Sequence, residues 1–181
     1  MATTKKDRIK AYEMIMPDDF AEDRFIAKLD KLGFFDAPAS TKRHGAYPGG
    51  LFDHSFTVAK YLTELTEKLG LTWKHDRSPA VVGMLHDLCK CGFYERITGI
   101  SETEYNFKEP QLIPGHGDRS VIMLQQLTPI TEEEIACIRW HMGAYETDTK
   151  LWHSYDLAIR LYPNVLWTHT ADMYVSKVIG I

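Results

Sequence analysis

The chain has 181 residues, 44% hydrophobic and 25% charged, which suits one folded domain and excludes a disordered, collagen-like or coiled-coil chain. Twenty-one basic against 25 acidic residues give a formal net charge of −4, so the composition advertises no broad surface for gripping nucleic acid. Three cysteines make no disulfide framework and fit a reducing cytoplasm, whereas the eight histidines call for an explanation.

The start, Met1–Lys10, is polar and charged, without the apolar segment of a signal peptide. No apolar run approaches the roughly 20 residues of a membrane helix, so a soluble, cytoplasmic protein is expected. Phe20, Ile26, Leu29 and Leu32 predict a short amphipathic helix over 20–32, ended by Gly33. Phe34–Gly50, rich in proline and glycine, reads as a loop. A long helix follows, with Leu51, Val58, Leu62, Leu65 and Leu69 on one stripe and Gly70 as its stop. Ser78-Pro79 opens a helix through Val81, Met84, Leu85 and Leu88 to about Lys90.

Within Glu95–Lys108, Ile97, Thr98, Tyr105 and Phe107 flank a polar turn near Ser101–Thr103, predicting a small β-hairpin. Helix resumes from about His116 to Leu127. Thr131 and Glu134 form a capping box for a helix ending near His141, with Gly143 just beyond. Segments 153–162 and 164–178, separated by Pro163, are also helical. The predicted fold is all-α, a compact helical bundle with one small β-hairpin excursion, in a single domain over 1–181.

His75, in a polar loop, and His153, at a helix start, read as surface residues. His54 lies three residues after Leu51 and four before Val58, which points it inward with the apolar stripe. His86 follows Val82 by four, and Asp87 lies about 100° further round the helix, close enough for both to converge on one ion. His141 follows Ile138 by three and Cys137 by four; His116 stands between two glycines at a helix start; His169 and Asp172 share a face. Imidazoles and carboxylates aimed at a core are costly unless compensated. Imidazole with carboxylate suits Mn²⁺, Fe²⁺, Zn²⁺ or Mg²⁺. The spacing of Cys89, Cys91 and Cys137 does not suit a zinc–thiolate site, and they read as small hydrophobic residues.

The ordered series His54, His86-Asp87, His116, His141 and Asp172 resembles that of the HD-domain metal-dependent phosphohydrolase superfamily, of the small stand-alone bacterial or phage type. The surrounding words carry the likeness over about residues 45–175: Gly49-Gly50-Leu51-Phe52-Asp53-His54-Ser55, Leu85-His86-Asp87-Leu88-Cys89-Lys90, Gly115-His116-Gly117-Asp118-Arg119-Ser120, Arg139-Trp140-His141-Met142-Gly143 and His169-Thr170-Ala171-Asp172-Met173. Cys89 departs from the glycine that many members carry there, without touching a ligand position.

The resemblance implies two divalent ions (Mn, Fe, Mg, Co, Ni or Zn) at this series. His54, His86, Asp87 and Asp172 would hold the first; Asp87 would bridge to a second completed by His116 and His141. Two ions about 3.5–4 Å apart can activate a hydroxide and clamp a phosphate, which suits phosphoester hydrolysis. Lys90, on the helix face of His86 and Asp87, could neutralise phosphoryl charge, and Arg119 is a second phosphate candidate. His169 could support a ligand or protonate the leaving oxygen. His44, Tyr47 and the hairpin could line the substrate mouth, and among Phe93, Tyr94, Tyr105 and Phe107 some could stack a nucleobase while the others pack the core.

A phosphohydrolase acting as a mono- or diesterase on a nucleotide or related small phosphoester is therefore expected. The alternatives are a 3′–5′ nuclease on single strands, by similarity to a bacterial exoribonuclease module, and a di-iron oxygenase using nearly the same ligands. The net charge argues against extended nucleic acid as a partner. Trp152 and Trp167, expected to be exposed aromatics, leave either a monomer or a homodimer open.

Overall fold

In the computed structural model of the protein, residues 4–42, 45–97, 105–108, 112, 115–145 and 148–181 are described. Among them are nine α-helices and one two-stranded sheet, so the all-α bundle with a hairpin excursion is the observed architecture.

Helix α1 (Lys5–Ile15) starts at a capping box between Thr4 and Asp7. It leaves little apolar signal in the sequence, because it buries only Arg8 and Tyr12, one turn apart. Arg8 ties it to the loop that follows, donating from Nη1 to Phe35 O and from Nη2 to Pro48 O, each at 3.0 Å. The helix predicted over 20–32 is in fact two, α2 (Asp18–Ala21) and α3 (Asp23–Leu32), because Glu22 adopts an extended backbone (φ −62°, ψ 139°). The following loop is no solvated connector: Phe34 and Phe35 are fully buried and meet Phe52 at ring distances of 6.2 and 5.8 Å. Burying each such ring is worth roughly 1.5–3 kcal/mol.

Helix α4 (Gly50–Leu69) buries Leu51, Phe52, His54, Val58, Ala59 and Leu62. Leu69, expected on the buried stripe, is 51% exposed, since the last turn of α4 outruns the core. Helix α5 (Ser78–Leu85) is buried nearly all round and forms the centre of the bundle against α4. Gly83 permits that packing: a Cβ there would stand 2.4 Å from Ala59 Cα.

The helix expected to reach Lys90 stops five residues early. His86 and Asp87 form a turn, Asp87 takes the bridge conformation (φ −104°, ψ 21°), and Leu88–Lys90 is a 3₁₀ turn. Strands β1 (Tyr94–Arg96) and β2 (Tyr105–Phe107) pair antiparallel, Tyr94 opposite Phe107 and Arg96 opposite Tyr105. Ile97 lies past the end of β1. Thr98 and the turn near Ser101–Thr103 lie outside the described residues.

Helices α6 (His116–Gln125) and α7 (Glu132–Arg139) pack so closely at one end that a Cβ on Gly117 would lie 2.0 Å from Arg139 O. Helix α7 opens on the expected Thr131–Glu134 capping box and ends at Trp140, which repeats the backbone of Asp87 (φ −105°, ψ 13°). Helices α8 (Trp152–Leu161) and α9 (Asn164–Tyr174) follow, and Val175–Ile179 widens into a π turn. Trp152 is exposed, but Trp167, expected exposed, packs partly buried against the core. No helix among the described residues is long and apolar enough to cross a membrane.

Candidate metal centre

Five segments meet at one point. Helix α4 supplies His54, the turn after α5 supplies His86 and Asp87, the start of α6 supplies His116, the turn after α7 supplies His141, and α9 supplies Asp172. His54, His86, Asp87 and His141 are almost completely buried. The close approaches at Gly83 and Gly117 set this up, drawing α4 to α5 and α6 to α7.

Asp87 is the hub, and its two oxygens face different neighbours. Oδ2 lies 3.4 Å from His86 Nε2 and 3.7 Å from His54 Nε2. Oδ1 lies 2.9 Å from His116 Nε2 and 3.5 Å from His141 Nε2. Asp172 Oδ1 joins the first lobe, 3.1 Å from His54 Nε2 and 3.9 Å from His86 Nε2. The six residues of the expected series thus divide into two lobes sharing one carboxylate.

The ring orientations are held from behind. Nδ1 of His86 lies 2.9 Å from Gly83 O, and Nδ1 of His141 lies 2.7 Å from Ile138 O. Nδ1 of His54 lies 2.9 Å from the main-chain oxygen of Ile181. A carbonyl only accepts, so each Nδ1 carries hydrogen and donates, and in the neutral ring Nε2 presents a lone pair to the centre. The Nε2 atoms of His86 and His141 are buried without a hydrogen-bond partner, and the 2.9 Å approach of His116 to Asp87 Oδ1 lies off the hydrogen-bond direction. Buried lone pairs left unmet and converging on a carboxylate are what a divalent cation would satisfy. The donor set, imidazole and carboxylate, fits such an ion.

Both carboxylates of the centre are held ionised. Burial opposes ionisation of Asp87, but the Lys90 ammonium at 2.7 Å, with His86 and His116, holds its carboxyl well below the usual range. Asp172 is likewise held low against its burial, by the adjacent His54 and His86. Burial would lower the pKa of His86, yet Asp87 and Asp172 raise it; at His116 burial prevails and the pKa is lowered. Lys90 stays protonated because Asp87 outweighs its desolvation.

A cavity of about 390 Å³ opens onto Asp87, Lys90, His116, His141 and Asp172. Its outer wall includes Tyr94, Phe107, Tyr145, Met142, Met173 and Lys177. A larger hollow of about 640 Å³, between the end of α1 and the face of α4 and α5 that carries Lys60 and Pro79, has no histidine or cysteine on its wall.

Other expected site residues fall elsewhere. Tyr47 is off this wall, hydrogen-bonded at 2.9 Å to Asp53. The loop reaches the cavity through Ala39 and Ser40 instead, and His44 lies outside the described residues. Arg119 lies over the Phe93 ring at 4.6 Å, away from the wall. His169 is also off the wall, with Nδ1 donating to His141 O at 2.8 Å. Of the four aromatics offered for stacking, Tyr94 and Phe107 reach the cavity, while Tyr105 is buried.

No sequence pattern marks the Ile181 oxygen or the wall residues Tyr145, Ser176 and Lys177. All three cysteines are buried and free, but the Cys89 sulfur is more than packing, lying within 4.8 Å of donor atoms of Asp87 and His116. Burial and the Asp87 charge push its thiol up to about 12.

The sequence model of the HD domain matches residues 51–172, well over half of the chain and inclusive of all six converging residues. The chain belongs to the HD-domain superfamily of metal-dependent phosphohydrolases. No curated protein and no solved structure shows a significant match to it.

Proposed function

We propose that the chain, a single HD domain, is a cytoplasmic phosphohydrolase. It would cleave a phosphoester of a nucleotide or similar small molecule, using two divalent ions. The observation that carries this reading is the division of Asp87, with Oδ2 toward His54 and His86 and Oδ1 toward His116 and His141. Asp172 would complete the first lobe.

Divalent ions held there supply Lewis acidity toward phosphoryl oxygens and lower the pKa of water. The chain's own residues do the rest. Lys90, buried on the cavity wall and held protonated beside Asp87, neutralises charge on the phosphoryl group. His169 acts as a positioning residue, fixing the main chain at His141 through their 2.8 Å hydrogen bond. Tyr94 and Phe107 offer faces to a planar leaving group, and a cavity of about 390 Å³ sits in the range of small-molecule sites.

The test is metal analysis followed by hydrolysis assays on nucleoside mono-, di-, tri- and cyclic phosphates with Mn²⁺, Mg²⁺, Co²⁺ and Fe²⁺. Phosphate release that is lost in Asp87→Ala supports the reading. Metal-loaded protein that cleaves nothing in the panel refutes it.

A further inference from the structure

The cavity wall carries two lysines and no arginine among the described residues. Lys90 is committed, buried with its ammonium 2.7 Å from Asp87 Oδ2. Lys177 is exposed, forms no ion pair among the described residues, and stands 5.9 Å from the centroid of the half-exposed Tyr145 ring. Its side chain lies on the wall, within an unusual stretch of backbone. Continued as an α-helix, α9 would carry a residue five positions beyond Asp172 about 140° away from that side chain. The Val175–Ile179 segment instead closes i→i+5, as in the 2.9 Å bond from Gly180 N to Val175 O. Lys177 shares the wall with Met173, four residues before it, and with Ser176. Wide turns of this kind are rare and concentrate at functional sites.

We propose that Lys177, with the Tyr145 and Phe107 rings, forms a subsite for a second anionic group on the leaving half of the substrate. The enzyme would then favour a nucleotide that bears a phosphate besides the one being cleaved. This rests on the phosphohydrolase reading and extends it. The centre and Lys90 take the scissile phosphoryl group. The aromatic faces take a ring, and Lys177 takes the remaining charge by a charge-assisted hydrogen bond.

The experiment compares nucleoside 5′-monophosphates with nucleoside 3′,5′-bisphosphates in the Mn²⁺-loaded enzyme and its Lys177→Met and Lys177→Arg variants. The bisphosphates should show the lower KM, and Lys177→Met should raise it about tenfold or more. Their kcat should stay within about twofold, with the monophosphates unchanged and Lys177→Arg keeping most of the preference. Equal effects of Lys177→Met on both substrate classes, or no effect on either, overturn the subsite while leaving the phosphohydrolase reading in place. Turnover of neither class by the unmodified enzyme overturns both.

Discussion

His54 donates from Nδ1 to the main-chain oxygen of Ile181 at 2.9 Å, joining the first residue of the expected ligand series to one 127 positions later. The bond fixes which nitrogen of His54 carries hydrogen and aims Nε2 at Asp172 and Asp87. Outer partners of this kind change metal affinity by roughly 10–100-fold when removed. Deleting Ile181 should therefore weaken the first ion by about that factor. Ile181→Ala, which keeps the oxygen, should stay near the unmodified value. Titration with Co²⁺ against a competing chelator measures both, and equal losses in the two variants would assign the effect to the side chain instead.

The division of Asp87 predicts a pattern of stoichiometry. Asp87→Asn should cost both ions and lower turnover about 10³-fold or more. Asp172→Asn and His54→Ala should each cost only the first ion, and His116→Ala only the second. Bound metal per chain, measured by plasma mass spectrometry, distinguishes these outcomes. Asp87→Asn should also destabilise the metal-free protein by about 3 kcal/mol, because Lys90 is left buried without its counter-charge. If Asp87→Asn retains one tightly bound ion, the bridging role is wrong.

Spacing made His54 and His141 legible as inward-facing, and the resemblance joined them with His86, Asp87, His116 and Asp172 in one series. His54 shares the stripe of Leu51 and Val58, and His141 lies one turn beyond Ile138. The local geometry was less legible. A continuous helix through Asp87 was expected, whereas a bridge-region residue there ends α5 and turns the carboxylate between the lobes. Helix α1 gave little signal, since a buried Arg8 does not look apolar. The Ile181 oxygen belongs to the main chain and has no side-chain signature. Lys177 was hidden because α-helical counting from Asp172 places it on another face; it shares its face with Met173, four residues earlier, instead.

Acid should empty the two lobes unequally. The pKa of His86 is raised by Asp87 and Asp172 against its burial, so its proton persists to higher pH and an incoming ion must displace it. The pKa of His116 is lowered by burial, so its Nε2 stays free of a proton to lower pH. As pH falls, affinity at the first lobe should decline before affinity at the second. Co²⁺ titrations across pH, with His54→Ala and His116→Ala isolating each lobe, check the order. The reverse order, or a common midpoint, contradicts the assignment.

Gly83 couples the stability of the bundle to the centre. A methyl group there would sit 2.4 Å from Ala59 Cα and 2.7 Å from Ala59 N, contacts with main chain that no side-chain rotation relieves. Gly83 O also accepts from His86 Nδ1, so forcing α5 off α4 disturbs both the packing and the ring orientation. Gly83→Ala should destabilise the fold by about 3 kcal/mol, the cost of overpacking a dense interior. For a chain of this size that lowers Tm by roughly 10 °C. Metal affinity should fall at the first lobe, where His54 and His86 come from the two displaced segments, more than at the second. Calorimetry and metal titration on the same variant test the coupling. A normal Tm with unchanged affinity at the first lobe would show that α4 and α5 separate without disturbing the centre.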